Sequence, residues 1–336
     1  MPSSIPIPLP LSVGHATDAR LKSGVTIFIP DEPAVAAIHV AGGAPGTRET
    51  DLLRPEATVE RIDAIVLAGG SAFGLAAADG AMSWLAAEGR GFAVGTARVP
   101  IVPAAILFDL LNGGNKSAIP SAAAGAVRSP YFDLGLAACE AAGREIALGS
   151  AGAGTGITTA NLKGGFGAAA AQLKEGRTLM AFAAVNAMGR VTWGDGPHFR
   201  AAPFEREGEF GGFGLPHPLP HDAGAPLTKK SAAALANTTV AVIATDLPLA
   251  KAQALRLAMA AHDGIALAVY PAHMPFDGDT VFALSTSADA GPAGLLALEE
   301  ACLMAPSTMA RAVARAVYEA APAEGDPVPA WRSRFA

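Results

Sequence analysis

The sequence predicts a layered α/β protein, and three observations carry that prediction. Hydrophobic residues fill 51% of the 336 positions, enough material for a large core. Only 16% of positions are charged while Ala and Gly dominate, a balance that fits sheets and helices whose backbones approach closely. Short β-rich apolar runs alternate with longer stretches of helical spacing. A net charge of -6 without clustered Lys or Arg excludes the phosphate neutralisation on which nucleic-acid binding depends.

Cys139 and Cys302 show no CxxC or CxxH spacing and read as buried thiols of a reducing compartment. The first ten residues carry no positive charge and are broken by Pro2, Pro6, Pro8 and Pro10, so no signal peptide is expected. No apolar run reaches spanning length. The expectation is a cytoplasmic protein with no nucleic-acid or membrane partner.

Residues 24–30 and 34–40 are β-rich runs that predict an antiparallel pair. The loop 42–51, broken by Gly and Pro, either lines a pocket or forms a solvated connection. Residues 62–70 read as a buried strand ending in Gly69-Gly70, and 71–88 as the following helix. That turn invites a dinucleotide reading but lacks the GxGxxG order and the later acidic residue, so close helix-to-sheet packing is the better explanation. Pro100 and Pro103 hold an extended segment, and a helix is expected from Tyr131-Phe132-Asp133 to about Ala142. The glycine-rich loop 149–156 offers backbone amides to an anion or oxyanion, without the Gly-Lys-Ser/Thr ending of a nucleotide loop.

Residues 168–174 and 178–185 predict a hairpin; Asn186 at its end caps the strand or points into a site. From 194 to 230 no periodicity is sustained, which predicts a flexible linker. Its His198, His217 and His221 match no zinc pattern. Beyond it, 239–245 reads as a buried strand and Asp246 as the cap of a helix ending at Gly264. A strand over 265–270, another over 280–286, helices over 291–303 and 307–320, and a tail from 322 complete the prediction.

The junction Asn237-Thr238 admits two readings. It is an ordinary turn entering a strand, or a site where the Thr238 hydroxyl attacks the preceding carbonyl and releases a new amino terminus. An α-amine titrates near pH 8, so a terminal Thr carries nucleophile and base together. Downstream, Phe276-Asp277-Gly278-Asp279-Thr280 places two carboxylates at i and i+2, on one side of an extended segment.

Taken in order, Gly14-His15-Ala16-Thr17-Asp18, residues 42–50, Leu67-Ala68-Gly69-Gly70-Ser71-Ala72-Phe73-Gly74-Leu75, residues 99–103, residues 152–156, the Asn237-Thr238 junction and residues 276–280 resemble the P1, or S58, family of self-processing aminopeptidases and amidases. The match runs over nearly the whole chain. Thr after Asn and a downstream pair of aspartates most resemble the nylon-oligomer hydrolase branch; the β-peptidyl and D-amino-acid branches use Ser, with Ser and Glu downstream.

The resemblance implies a single-domain, four-layer αββα sandwich of the N-terminal-nucleophile kind over residues 1–336. It further implies cleavage into an α chain, 1–237, and a β chain, 238–336, assembled as a tetramer of αβ units. By the same resemblance Thr238 is the nucleophile and its amine the base, Asp277 and Asp279 hold that amine, and Asn186 donates to the oxyanion. Lys163 and Tyr131 match charged and phenolic site positions, and no metal or organic cofactor is implied. The expected substrate is a short linear amide, such as a 6-aminohexanoate oligomer or a small peptide. Two alternatives remain at this point: an acyltransferase of the ornithine acetyltransferase kind, and a non-catalytic binder of a nucleotide at Gly69-Gly70 or at 152–156.

Overall fold

The computed structural model describes residues 3–229, 237–289 and 291–336. Its strands are β1 (Ser4–Pro6), β2 (Leu11–Asp18), β3 (Ser23–Pro30), β4 (Val35–Val40), β5 (Thr47–Arg48) and β6 (Ile65–Ala68), followed after helix α1 (Ala77–Ala87) by β7 (Phe92–Val94), β8 (Ala97–Val99) and β9 (Ala104–Ile106). After α2 (Tyr131–Glu140) come β10 (Glu145–Ala147), β11 (Phe166–Gln172), β12 (Thr178–Asn186) and β13 (Thr238–Thr245). The chain closes with α3 (Lys251–Ala268), β14 (Thr280–Ser285), α4 (Leu295–Tyr318) and α5 (Trp331–Phe335).

One five-stranded sheet runs in the order β11-β12-β13-β14-β4, the other in the order β2-β3-β6-β9-β5. Side chains alternate along each strand, so each sheet has two distinct apolar faces. Ala181, Ala183, Ala241 and Ile243 pack with Leu257, Ala261, Met309 and Val313 of α3 and α4. Their neighbours Phe182, Ala184, Val240 and Val242 pack instead with Phe28, Ile65 and Leu67 of the facing sheet. The far face of that second sheet, with Val25, Ile27 and Val66, is covered by Ala77, Ala81 and Ala138 of α1 and α2. Helices, sheet, sheet and helices therefore stack as four layers, the αββα sandwich expected.

Several local expectations change. The runs expected to pair with each other lie in different sheets: β3 pairs with β2 and β6, whereas β4 pairs with β14. The Pro-broken segment between them carries the chain from one layer to the next. Gly264 does not stop α3. A Cβ there would lie 2.3 Å from the Pro306 carbonyl oxygen and 2.7 Å from Met309 Cβ, so glycine lets α3 cross close over α4. The helix consequently runs to Ala268, and the strand expected over 265–270 reduces to one bridge between Tyr270 and Arg190. Asp246 does not cap α3; its Oδ1 accepts from the Thr178 amide at 2.8 Å. The two expected C-terminal helices are one, α4, with Pro306 inside it.

The 194–230 segment was expected to be a flexible linker. Over 194–229 it has no long element but is anchored, because its aromatic residues find partners. Phe199 and Phe210 are buried, and Phe199 stacks on Trp331 with ring centroids 5.6 Å apart. Arg190 pairs with Asp222 at 2.8 Å. Residue 230 lies outside the described residues. Trp331 is itself fully buried, so the expected tail is docked onto the core. Among the described residues no helix is long and apolar enough to cross a membrane.

Candidate active site

The first residue of β13, Thr238, stands directly opposite the last residue of β12, Asn186. Alternation puts both on the face shared with Val240, Val242 and Phe182, towards the second sheet. Both are buried. One residue earlier, Asn237 forms a parallel bridge to Asp277, extending the β13–β14 ladder beyond Thr280. The amide of Gly278 then donates to the Asn237 carbonyl oxygen at 2.8 Å. The Thr238 hydroxyl donates to the same oxygen. A hydroxyl thus lies against the carbonyl that precedes it, and an N–H polarises that carbonyl. Gly278 leaves the room for this, since a Cβ there would lie 2.7 Å from Thr238 Oγ1 and 2.9 Å from the Ala44 carbonyl oxygen.

The two carboxylates are held differently. Asp279 Oδ1 accepts from the Thr239 amide at 2.6 Å, while Oδ2 accepts from the His273 amide at 3.1 Å and from His273 Nδ1 at 2.7 Å. Asp277 Oδ2 accepts from the Met274 amide at 2.7 Å. Its Oδ1 is buried with no hydrogen-bond partner among the described residues. Burial, then the charge of Asp279, pushes Asp277 up to about 6, against the Met274 amide and the charges of His273 and Lys229. The loop 41–46 packs on this segment: the Ala44 amide donates to the Asp277 carbonyl at 2.8 Å and the Ala41 amide to the Asp279 carbonyl at 3.0 Å.

Two residues of this site were not singled out from the sequence. Lys229 donates from Nζ to Asn186 Oδ1 at 2.9 Å and to the Asn186 carbonyl at 3.1 Å. Burial lowers its amine to about 7, opposed by the charge of Asp277. Asn186 Oδ1 also accepts from the Thr158 amide at 3.1 Å, and Asn186 Nδ2 donates to the Phe108 carbonyl at 3.0 Å. With two donors on Oδ1, the orientation of the amide is fixed. The second residue, His273, sits in the Pro-containing turn ahead of Asp277. Neither had a sequence signal beyond its closeness to the junction or to the aspartates, because burial and partners come from tertiary contacts.

Tyr131 and Lys163 belong to two polar clusters adjoining Asn186. The Tyr131 hydroxyl lies 2.7 Å from Ser23 Oγ, which donates to Asp109 Oδ2 at 2.5 Å. Asp109 follows Phe108, whose carbonyl holds Asn186. Lys163 pairs with Asp326 at 2.7 Å and bridges to Thr158, the other amide on Asn186. The structure therefore brings Thr238, Asn186, Asp277 and Asp279 together, with Tyr131 and Lys163 one layer behind.

The glycine-rich loops do not offer a phosphate site. The Gly152 and Ala153 amides already donate to the Thr17 and Thr26 hydroxyls at 2.8 and 3.0 Å. The Gly70 amide donates to the Asp109 carboxylate at 2.9 Å, a buried acid where a phosphate would have to sit. The nucleotide-binding alternative loses its ground.

The profile described as peptidase family S58 matches residues 10–328. The chain belongs to peptidase family S58. Its S58 relatives include uncharacterized aminopeptidases of Mycobacterium bovis and Mycobacterium tuberculosis, each 42% identical over 348 aligned positions covering 97% of this chain and 96% of theirs. Among solved structures, an L-aminopeptidase D-Ala-esterase/amidase from Ochrobactrum anthropi, described as a variant of the Ntn hydrolase fold, superposes with a TM-score of 0.67 at 19% identity, covering 95% of this chain and 87% of that one. A Burkholderia β-aminopeptidase superposes with a TM-score of 0.66 at 18% identity, over 98% of this chain and 92% of that one. These likenesses establish the shared fold. As an S58 peptidase the protein is a hydrolase of peptide bonds.

Proposed function

We propose that this S58 peptidase is a self-processing amide hydrolase with an N-terminal threonine nucleophile. The observation that carries the reading is the Thr238 hydroxyl lying on the Asn237 carbonyl, with the Gly278 amide on the same oxygen. Oγ1 attacks the carbonyl carbon, the C–N bond breaks as the nitrogen takes up the hydroxyl proton, and an Asn237 ester of Thr238 forms. Water hydrolyses the ester, leaving the Asn237 carboxylate at the end of 1–237 and a free α-amine at the start of 238–336.

In turnover that amine takes the proton from Oγ1 as it attacks a substrate carbonyl. The amine part of the substrate leaves protonated, and water then releases the acyl group from Thr238. Asp277 and Asp279 act as acceptors for the new ammonium, a role supported by Asp277 Oδ1 being buried with no hydrogen-bond partner among the described residues. Asn186 faces Thr238 across the strand pair and donates to the oxyanion. Tyr131 and Lys163 act through the two main-chain segments that hold Asn186.

The substrate class we assign is a short linear amide: a small peptide with a free amino end, or an ω-amino-acid oligomer such as 6-aminohexanoate dimers and trimers. The fold likeness to a β-aminopeptidase and to an esterase/amidase supports amides beyond ordinary α-peptides. We also assign a tetramer of αβ units, supported by the outward apolar residues Leu295, Leu296 and Leu303 of α4.

Mass spectrometry of the purified protein mixed with a panel of such amides tests the reading. An acyl adduct on the fragment beginning at Thr238 is expected with at least one class. Product release with no adduct trapped there, under conditions that trap acyl-enzymes of threonine hydrolases, refutes it.

A further inference from the structure

On the helix side of the β13–β14 sheet, behind the aspartates, three imidazoles stand in a row. The His262 ring is edge-on to His39, with centroids 4.8 Å apart, and edge-on to His273 at 5.1 Å. His262 Nε2 donates to the His39 carbonyl at 2.9 Å, and burial lowers it to about 4, so this ring is neutral. His273 has a different environment. Its main-chain amide and its Nδ1 converge on the single oxygen Asp279 Oδ2. A φ of 58° makes this convergence possible, in the left-handed region that residues with a Cβ seldom occupy. The ring is partly open to a cavity of about 640 Å³ between α3 and α4.

We propose that His273 is a positioning residue for the amide hydrolysis: with two donors on Oδ2 it turns Asp279 Oδ1 onto the Thr239 amide and so fixes the main chain that presents Thr238. The inference rests on the reading of Thr238 and Asp279 given above. Asp279 reaches Thr239 at 2.6 Å, one residue beyond the nucleophile. Without the ring, Oδ2 keeps only the longer main-chain bond at 3.1 Å, the carboxylate is freer to rotate, and the position of the new amine follows that rotation. The imidazolium also offsets two carboxylates that stand at i and i+2.

The groups that face His273 set its titration. Asp277 and Asp279 come from its own segment, His262, Asp263 and the cation Arg256 from α3, His39 from β4, and Glu299 from α4 across the cavity. Burial alone lowers His273; the hydrogen bond and charge of Asp279 outweigh it, so the net direction is upward. The charged pair is therefore complete below the ordinary histidine value of 6.5 and is lost as pH rises through the raised value.

The test compares kcat and KM for wild type, His273→Ala, His273→Asn and Asp279→Ala, each shown to be folded by its melting transition, together with NMR titration of labelled histidine in wild type and Asp279→Asn. His273→Ala is expected to lower kcat by about 10- to 100-fold with KM little changed. His273→Asn, whose amide nitrogen stands where Nδ1 stood, recovers most of that loss. The His273 resonance titrates above 6.5 in wild type and moves down in Asp279→Asn. Wild-type turnover in His273→Ala beside an inactive Asp279→Ala overturns the positioning role alone. Folded His273→Asn no better than His273→Ala, or a resonance unmoved by Asp279→Asn, also overturns it. An Asp279→Ala enzyme as active as wild type overturns the underlying reading of the site as well.

Discussion

Gly278→Ala crowds the proposed nucleophile more closely than any other group. The added Cβ would stand 2.7 Å from Thr238 Oγ1, 3.2 Å from Thr238 Cγ2 and 2.9 Å from the Ala44 carbonyl oxygen. To restore an ordinary van der Waals contact, the hydroxyl or the loop must yield by roughly 0.7 Å. Gly278 does not have a left-handed φ, so alanine adds no backbone strain, and the amide on the Asn237 carbonyl is retained. Overpacking of this size costs about 1–3 kcal/mol of stability. A misplacement approaching 1 Å at a reacting atom slows chemistry by about 100-fold, so both self-cleavage and amide turnover should fall by about 10- to 100-fold. A denaturing gel followed over time reads the cleavage, and initial rates on a short amide read the turnover, with a melting curve to confirm folding. If folded Gly278→Ala is cut and turns over at the wild-type rate, Thr238 Oγ1 is not the attacking atom.

Other predictions follow from the same geometry. Asn186→Ala removes the proposed oxyanion donor and should cost about 3 kcal/mol in the transition state, seen as a fall in kcat of about 100-fold or more. Lys229→Met removes both hydrogen bonds from Nζ to Asn186 and should lower kcat by roughly 10-fold, corresponding to about 1.4 kcal/mol; an unchanged kcat would remove Lys229 from the site. In the uncut chain, which Thr238→Ala preserves, Asp277 binds its proton more tightly when folded, so the stability of that variant should fall as pH rises from 3.8 towards about 6, with the full cost present above that. Asp277→Asn added to Thr238→Ala lacks this cost; the double variant should melt at a higher temperature than Thr238→Ala above pH 6, with the difference fading towards pH 4. Light scattering on the purified protein should give the mass of four αβ units; a monomer would contradict the proposed assembly.

The layered architecture was legible because it depends on periodicity, and the strands β12, β13 and β14 fall close to where their apolar runs lie. What periodicity does not reveal is which neighbour a strand takes. The β3 and β4 runs looked like a pair and belong to facing sheets. Gly264 was misread because a glycine that ends a helix and one that lets two helices touch look the same in a single sequence. The docked Trp331 and the anchored Phe199 and Phe210 were hidden in segments whose Gly, Pro and charge resemble linker composition. In the site, the spacing of Asp277 and Asp279 and the Asn237-Thr238 junction could be read because the residues are near in sequence. Lys229 and His273 could not, since a depressed amine and a doubly held carboxylate oxygen arise only when β12, α3 and the Asp277 loop are brought together. The 149–156 loop shows the reverse: its glycines suggested an anion site, and its amides are taken by the hydroxyls of Thr17 and Thr26.

Intact mass measured under denaturing conditions, on wild type and on Thr238→Ala after the same period of storage, tests the central claim most directly. Two fragments are predicted for wild type, 1–237 and 238–336, the second with threonine at its amino terminus. For Thr238→Ala a single inactive chain of 33.7 kDa is predicted. A wild-type protein that hydrolyses amides while remaining one uncut chain, or a Thr238→Ala protein that is still cut after Asn237, would contradict it.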